Sequence, residues 1–167
     1  MSAAPRKQSG VMLIEALIGI LIFAIGVLAV VGMQSQALRG AQDARFRTEA
    51  GQWANDLLNQ IIVSVDRSSE TALSTSLAAY QHQPSGSNCA FSGTASTNAT
   101  VTTWVANVTG STAGARKQLP GATTAMQQVV VSSDPASGDY NRVTITVCWQ
   151  GPEDAVARKY ILNSYIN

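Results

Sequence analysis

The side chains that most often perform enzyme chemistry are scarce in this chain of 167 residues. His82 is the single histidine, and its neighbours Gln81, Gln83 and Pro84 indicate a loop, so a surface imidazole explains it better than a general base. One His and two Cys also argue against zinc, because a zinc site draws several ligands from these residue types. The sequence therefore predicts no enzyme activity, no cofactor and no metal site.

Two small charged groups could instead hold an ion or a nucleic acid. Asp134 and Asp139 bracket a turn sequence and could ligate calcium, although acids that form the turn itself are the better interpretation. Arg116 and Lys117 could contact phosphates, although a basic cluster of this size is usually only solvated. Because 11 basic and 10 acidic residues nearly cancel, we expect no broad cationic surface and no nucleic-acid partner.

The longest apolar run of the chain lies near its N-terminus, at residues 11–33, and contains one charged residue, Glu15. As a helix this run would measure about 35 Å, which is enough to cross a bilayer core of about 30 Å. Arg6 and Lys7 precede it without any acidic residue, so the positive-inside rule keeps residues 1–10 in the cytoplasm. The sequence thus predicts a membrane-spanning helix with the rest of the chain outside, in an oxidising compartment.

Two common interpretations of this run leave Glu15 unexplained. A secretory signal peptide would have a shorter apolar stretch, and Ala24, Ile25 and Gly26 could precede its cut. An uncleaved anchor would attach a periplasmic binding domain to the membrane. In both cases a carboxylate costs about 2.5–3.5 kcal/mol near the middle of the membrane, so an intramembrane acid indicates a function.

A third interpretation accounts for the leader, the acid and the apolar run together. The segment Lys7-Gln8-Ser9-Gly10, followed by Val11, Glu15 and an unbroken apolar tract, closely resembles the class III signal of type IV prepilins. The resemblance implies that a prepilin peptidase in the inner membrane cuts after Gly10 and methylates the new amino terminus of Val11, which replaces the usual Phe. It also implies that Glu15 pairs with the amino terminus of an adjacent subunit in the fibre. The alternative is that the Glu15 side chain only reaches the lipid headgroups.

Within this family, the N-terminus is most similar to the minor pilins of type IVa pili, through residues 12–17, 25–28 and 32–34. The resemblance implies a noncatalytic subunit of a tip complex, which helps to initiate pilus assembly and supports adhesion, twitching motility or DNA uptake. Its implied partners are other minor pilins, the major pilin and a tip adhesin. Its implied location is the inner membrane, with the head in the periplasm, and then the pilus tip. The same N-terminus also resembles a minor pseudopilin of the type II secretion system.

The helix is predicted to continue beyond the apolar run as an amphipathic helix over residues 34–65. Apolar residues recur there at intervals of three or four and define one face, at Phe46, Ala50, Trp53, Leu57 and Ile61. No proline interrupts residues 11–65, so we expect one unbroken helix. Its second half is predicted to pack on a globular head.

Residues 66–167 are rich in Ser, Thr, Ala, Asn and Gly and are predicted to form that head. A loop at residues 66–98, with at most a short helix at 72–79, is predicted to precede a sheet at about 99–165. The four predicted strands are 101–108, 127–131, 142–149 and 158–162. Because residues 134–139 have the composition of a hairpin turn, we expect the sheet to be antiparallel. The predicted fold class is α+β and pilin-like, with the sheet laid across the amphipathic helix.

The two cysteines, Cys89 and Cys148, are predicted to form a disulfide in the oxidising compartment. Closing the chain between them would stabilise the head by about 4 kcal/mol on the loop-entropy model. A reactive thiol pair is disfavoured because no Cys-x-x-Cys spacing is present to lower either pKa. Major pilins usually close a C-terminal loop with their cysteines, whereas Cys148 would bond backward to the loop before the sheet, and this difference favours a minor component.

Overall fold

The computed structural model describes residues 11–111, 119–132 and 140–167. Its fold class is α+β, as the sequence predicts. The chain divides into two compact units, of which the first ends at Ala44 and the second is Arg45–Asn167. The elements in chain order are α1 (Val11–Ser64), α2 (Glu70–Ala78), β1 (Ser85–Ser87), β2 (Ala90–Ser92), α3 (Ala99–Thr109), a 3-10 turn (Thr124–Met126), β3 (Gln127–Ser132), β4 (Arg142–Trp149) and β5 (Arg158–Tyr165).

The first unit consists of the N-terminal part of α1. Its residues are mostly apolar helix formers without proline, and the four glycines at positions 19, 26, 32 and 40 do not interrupt the helix. Every residue from 11 to 42 is exposed. The apolar side chains of this part of α1 are therefore not packed in a core.

The second unit contains an antiparallel sheet in the order β3-β4-β5. Gln127 of β3 lies opposite Val147 of β4, and Ile145 of β4 lies opposite Leu162 of β5. Three of the four predicted strands are confirmed, with β5 extending to Tyr165. The antiparallel pairing of β3 and β4 is also confirmed, whereas the predicted turn residues Asp134 and Asp139 lie outside the described part of the chain.

The predicted strand at 101–108 is wrong, because these residues belong to helix α3. The side chain of Asn98 accepts a hydrogen bond from the Thr100 N–H at 2.9 Å and caps the first turn. Gly110 ends the helix in the left-handed conformation, with φ of 68°. The buried side chains follow a helical period, at Val101, Trp104, Val105 and Val108. Burying these four side chains on one face of a helix outweighs the preference of the β-branched residues for strands.

The segment 66–98 contains more regular structure than the loop predicted for it. The short helix expected at 72–79 is present as α2, and Ser69 caps it by accepting from the Ala72 N–H at 3.1 Å. A small hairpin, β1-β2, was not predicted. Its turn residues Asn88 and Cys89 have φ of 52° and 64°, which is the conformation that two-residue turns between antiparallel strands require.

The core of the second unit lies between α1, α3 and the inner face of the sheet. The predicted apolar face of α1 is largely confirmed: Ala50, Leu57 and Ile61 are fully buried, whereas Phe46 and Trp53 are partly buried. Other members of this core are Ala54, Leu58, Leu77, Val101, Val108, Val129, Val143, Ile145, Val147 and Trp149. These contacts fix α1 and α3 relative to the sheet and so position the surface features described below.

Candidate functional site

The proposed processing site falls at the first described residue. Gly10 lies outside the described residues, and α1 begins at Val11. Glu15 is four residues further along the helix, so Val11 and Glu15 lie on the same face. Both are exposed. A freed amino group on Val11 and the carboxylate of Glu15 would therefore be presented on one side of the helix.

The surface around Glu15 is almost entirely apolar. The exposed fractions of Leu13, Phe23 and Leu28 are 69%, 73% and 71%. An exposed apolar surface of this length requires lipid or another protein to cover it, because contact with water is unfavourable at about 25 cal/mol per Å². Within the described residues, α1 is the one helix long and apolar enough to cross a membrane, a criterion that a signal sequence would also meet.

The expected disulfide joins Cys89 to Cys148, with their Cα atoms 5.8 Å apart. It connects the β1-β2 turn to β4, and Cys148 is fully buried. The bond forms a second, smaller apolar cluster with Phe91, which Met126 and Ala157 border. The cysteines therefore hold the hairpin against the sheet and are not available as thiols.

His82 is not the surface imidazole that the sequence suggested, because its exposed fraction is only 3%. Its backbone N–H and C=O both pair with Val129 of β3, at 2.9 and 3.0 Å. Its Nδ1 accepts a hydrogen bond from the Ser96 N–H at 3.1 Å. Burial lowers the pKa of His82 below its ordinary value of 6.5, an effect that the Thr124 carbonyl partly opposes. No sequence pattern indicated this burial, since it depends on pairing with a distant strand.

The loop between β4 and β5 is held by one acid that the sequence analysis did not single out. Asp154 accepts from the Gly151 N–H at 3.0 Å and from the guanidinium of Arg158 at 2.8 and 2.9 Å. The Arg158 hydrogen bond holds the pKa of Asp154 below its ordinary value of 3.8. These bonds order the loop between β4 and β5.

The other groups considered for chemistry were a metal site and two pairs of charged residues. Among the described residues, no group of three His, Cys, Asp or Glu side chains could hold a metal ion. Arg116 and Lys117, considered as a phosphate contact, lie outside the described ranges, as do Asp134 and Asp139. The described residues therefore form an apolar helical surface that contains one acid, and a head that a disulfide stabilises.

The long apolar N-terminal helix, the small antiparallel sheet and the disulfide are together consistent with a pilin-like fold. The chain matches no protein-family model, no curated protein sequence and no solved structure.

Proposed function

We propose that this chain is a minor pilin of a type IVa pilus, similar to PilV, and that it acts as a noncatalytic structural subunit. The observation that supports this best is the division of α1. Its N-terminal part is apolar, uncovered and charged only at Glu15 over residues 11–33, whereas its C-terminal part is buried in the head. A subunit that is first held in a membrane and then packed in a fibre needs both surfaces.

The chemistry of assembly is noncovalent after one proteolytic step. Cleavage after Gly10 leaves a positive amino group on Val11 at the edge of the apolar layer. The carboxylate of Glu15 on a neighbouring subunit neutralises it, with an attraction of about 4 kcal/mol at about 4 Å and an effective dielectric constant of about 20. Removing either charge leaves the other unpaired in an apolar environment, so the pair selects one axial stagger between subunits.

The head supplies contacts to the other subunits. Its core and disulfide keep it folded outside the cytoplasm, where the proposed partners are other minor pilins, the major pilin and a tip adhesin. In the proposed tip complex the chain helps to initiate assembly and so supports adhesion, twitching motility or DNA uptake.

Mass spectrometry of the mature chain from its own cells tests the processing step. We expect the mature chain to begin at Val11 and to be heavier by one methyl group. The matched variant Gly10→Val should retain the leader, because the peptidase of this family cuts after Gly. A mature chain that begins at Met1 or after Gly26 would instead identify an anchored or secreted domain.

A minor pseudopilin of a type II secretion system remains the second candidate, because the same apolar helix and acid suit both fibres. Deleting the gene for this chain distinguishes the two systems. We expect the deletion cells to have fewer surface pili and reduced twitching, with normal release of secreted enzymes into the medium. Normal piliation with blocked enzyme release would assign the chain to the secretion system.

A further inference from the structure

A groove of about 300 Å³ lies between α1 and α3 within the second unit. Its size is at the lower end of the range for small-molecule sites. The groove is lined from α1 by Trp53, Asp56, Asn59 and Gln60, and from α3 by Thr100, Thr103, Trp104 and Asn107.

The lining residues recur at the same sequence intervals on the two helices. Trp53, Asp56 and Gln60 follow positions i, i+3 and i+7 of α1, and residues 100, 103 and 107 follow the same positions of α3. The indole N–H of Trp104 donates to the backbone carbonyl of Trp53 at 2.9 Å and joins the helices at the groove. The site is therefore built on two regular elements that are fixed to each other.

The polar side chains of the groove have unused hydrogen-bonding capacity. Within the described part of the chain, none of the side chains of Asp56, Asn59, Gln60, Thr100, Thr103 and Asn107 forms a hydrogen bond. Elsewhere on the same helices, Asn55 donates to the Gly51 carbonyl at 2.7 Å and Thr102 donates to the Ala99 carbonyl at 3.1 Å. Asp56, Asn59, Gln60 and Thr103 are exposed, and Thr100 and Asn107 are partly buried, so a ligand in the groove would replace water at these six side chains.

The lining selects a chemical class of ligand. It contains three amides, two hydroxyls and one carboxylate, but no Lys, Arg or His, so it suits a neutral ligand with many hydroxyl groups better than a phosphate or sulfate. Trp53 lines the groove and is partly buried against the core, and it supplies the aromatic surface that the C–H side of a sugar ring can contact. We propose that this groove binds a neutral sugar residue of a surface glycan.

This binding activity is independent of fibre assembly and goes beyond the structural role proposed above. Asp56 accepts hydrogen bonds from sugar hydroxyls, whereas the amides of Asn59 and Asn107 both donate and accept across the groove. Because the groove is open and takes one sugar ring, a single site binds in the millimolar range. Several fibres that each present the chain at their tip would raise the apparent affinity for a glycan surface.

The test uses the purified full chain in micelles of lauryldimethylamine oxide, because detergents with sugar head groups would compete. The probes are the methyl glycosides of glucose, galactose, mannose and N-acetylglucosamine, titrated by saturation-transfer NMR. Sialic acid and glucose 6-phosphate serve as charged controls. We expect saturable binding of at least one neutral glycoside and weaker binding of both charged sugars.

Matched variants locate the binding. Asn59→Ala and Asn107→Ala should each weaken binding about two- to tenfold, the range expected for one hydrogen bond. Asn163→Ala removes an exposed amide of β5 that does not line the groove and should leave binding unchanged. Circular dichroism checks that each variant is folded, and Thr103→Val replaces any variant that is not. The proposal is overturned if none of the four glycosides binds, if the groove variants bind like the parent chain, or if the charged sugars bind equally well. None of these results bears on processing or assembly.

Discussion

The two parts of helix α1 differ in what surrounds them, although one regular helix forms both. From Val11 to Gln42 all residues are exposed, whereas Ala50, Leu57 and Ile61 are completely buried in the head. The space around one glycine in each part differs in the same way. A methyl group added at Gly26 would have no neighbour within 4 Å, whereas one added at Gly51 would lie 3.4 Å from the ring of Tyr160. The first part thus presents its apolar side chains outward, whereas the second packs them within the chain.

Replacing Glu15 should have the largest effect, and it should act on the first part alone. In Glu15→Ala, we expect cleavage after Gly10 to continue but incorporation into sheared fibres to fall below detection, because the neighbouring amino group loses its counter-charge. Glu70→Ala, which removes an exposed acid of the head, is the matched control and should be incorporated normally. Fibres that contain normal amounts of the Glu15 variant would refute the charge-pairing model.

Removing the disulfide should act on the second part alone. We expect the double variant Cys89→Ser, Cys148→Ser to lower the free energy of unfolding of the head by about 4 kcal/mol. Tryptophan fluorescence during denaturant titration measures this, since all three tryptophans lie in the second unit. Reduction of the unaltered chain should reproduce the loss, and a midpoint that is insensitive to reduction would contradict it.

Two glycine substitutions in the head should change its free energy of unfolding in opposite directions. Gly121 has φ of +61°, and an added methyl group would lie 2.3 Å from the Gln150 carbonyl oxygen, so Gly121→Ala should destabilise the head by about 1–3 kcal/mol. Gly51→Ala should stabilise it by about 0.5–1 kcal/mol, because the methyl group fits against Tyr160 and the helix gains propensity. Thermal unfolding measures both. Equal signs would show that the packing between α1 and β5 differs from that described.

The smallest expected effect is a pH dependence of head stability that His82 causes. Because burial lowers its pKa below 6.5, the unfolded chain takes up a proton before the folded chain does. The free energy of unfolding should therefore be independent of this group above about pH 6.5 and should fall as the pH decreases below that value.

Denaturant titrations over this range measure the slope, and His82→Gln should remove it. The carboxylates of Asp66 and Asp154 do not interfere, since their pKa values lie below 3.8 and their contribution is lost only at lower pH. A slope that persists in the variant would assign the pH dependence to another group.

The elements that could be predicted from the sequence are those whose signals are local. The helix α1, the short helix α2 and the strands β3 to β5 follow from periodicity, from composition and from turns rich in Gly, Pro and Asp. Helix α3 was assigned to the wrong class because its Val and Thr residues favour strands, although its caps at Asn98 and Gly110 were present in the sequence.

The features that could not be predicted depend on contacts between distant segments. The hairpin β1-β2 consists of small polar residues without alternation, and His82 is buried because it pairs with Val129. The groove could not be predicted while residues 101–108 were expected to form a strand. In a strand, Thr100, Thr103 and Asn107 would lie on two different faces. Gly10, Val11 and Glu15 were identified from the N-terminal pattern, and their proposed roles await the experiments above.

The position of the disulfide has a mechanical consequence if α1 is pulled, as it would be in the proposed fibre. Cys89 and Cys148 close a covalent ring that contains α3, β3 and nearly all of β4, whereas α1 and β5 lie outside it. A force that pulls on α1 is therefore resisted by noncovalent packing and can extract the helix without opening the ring. The strands inside the ring remain tethered to each other, so the head can regain its fold quickly once the load is released.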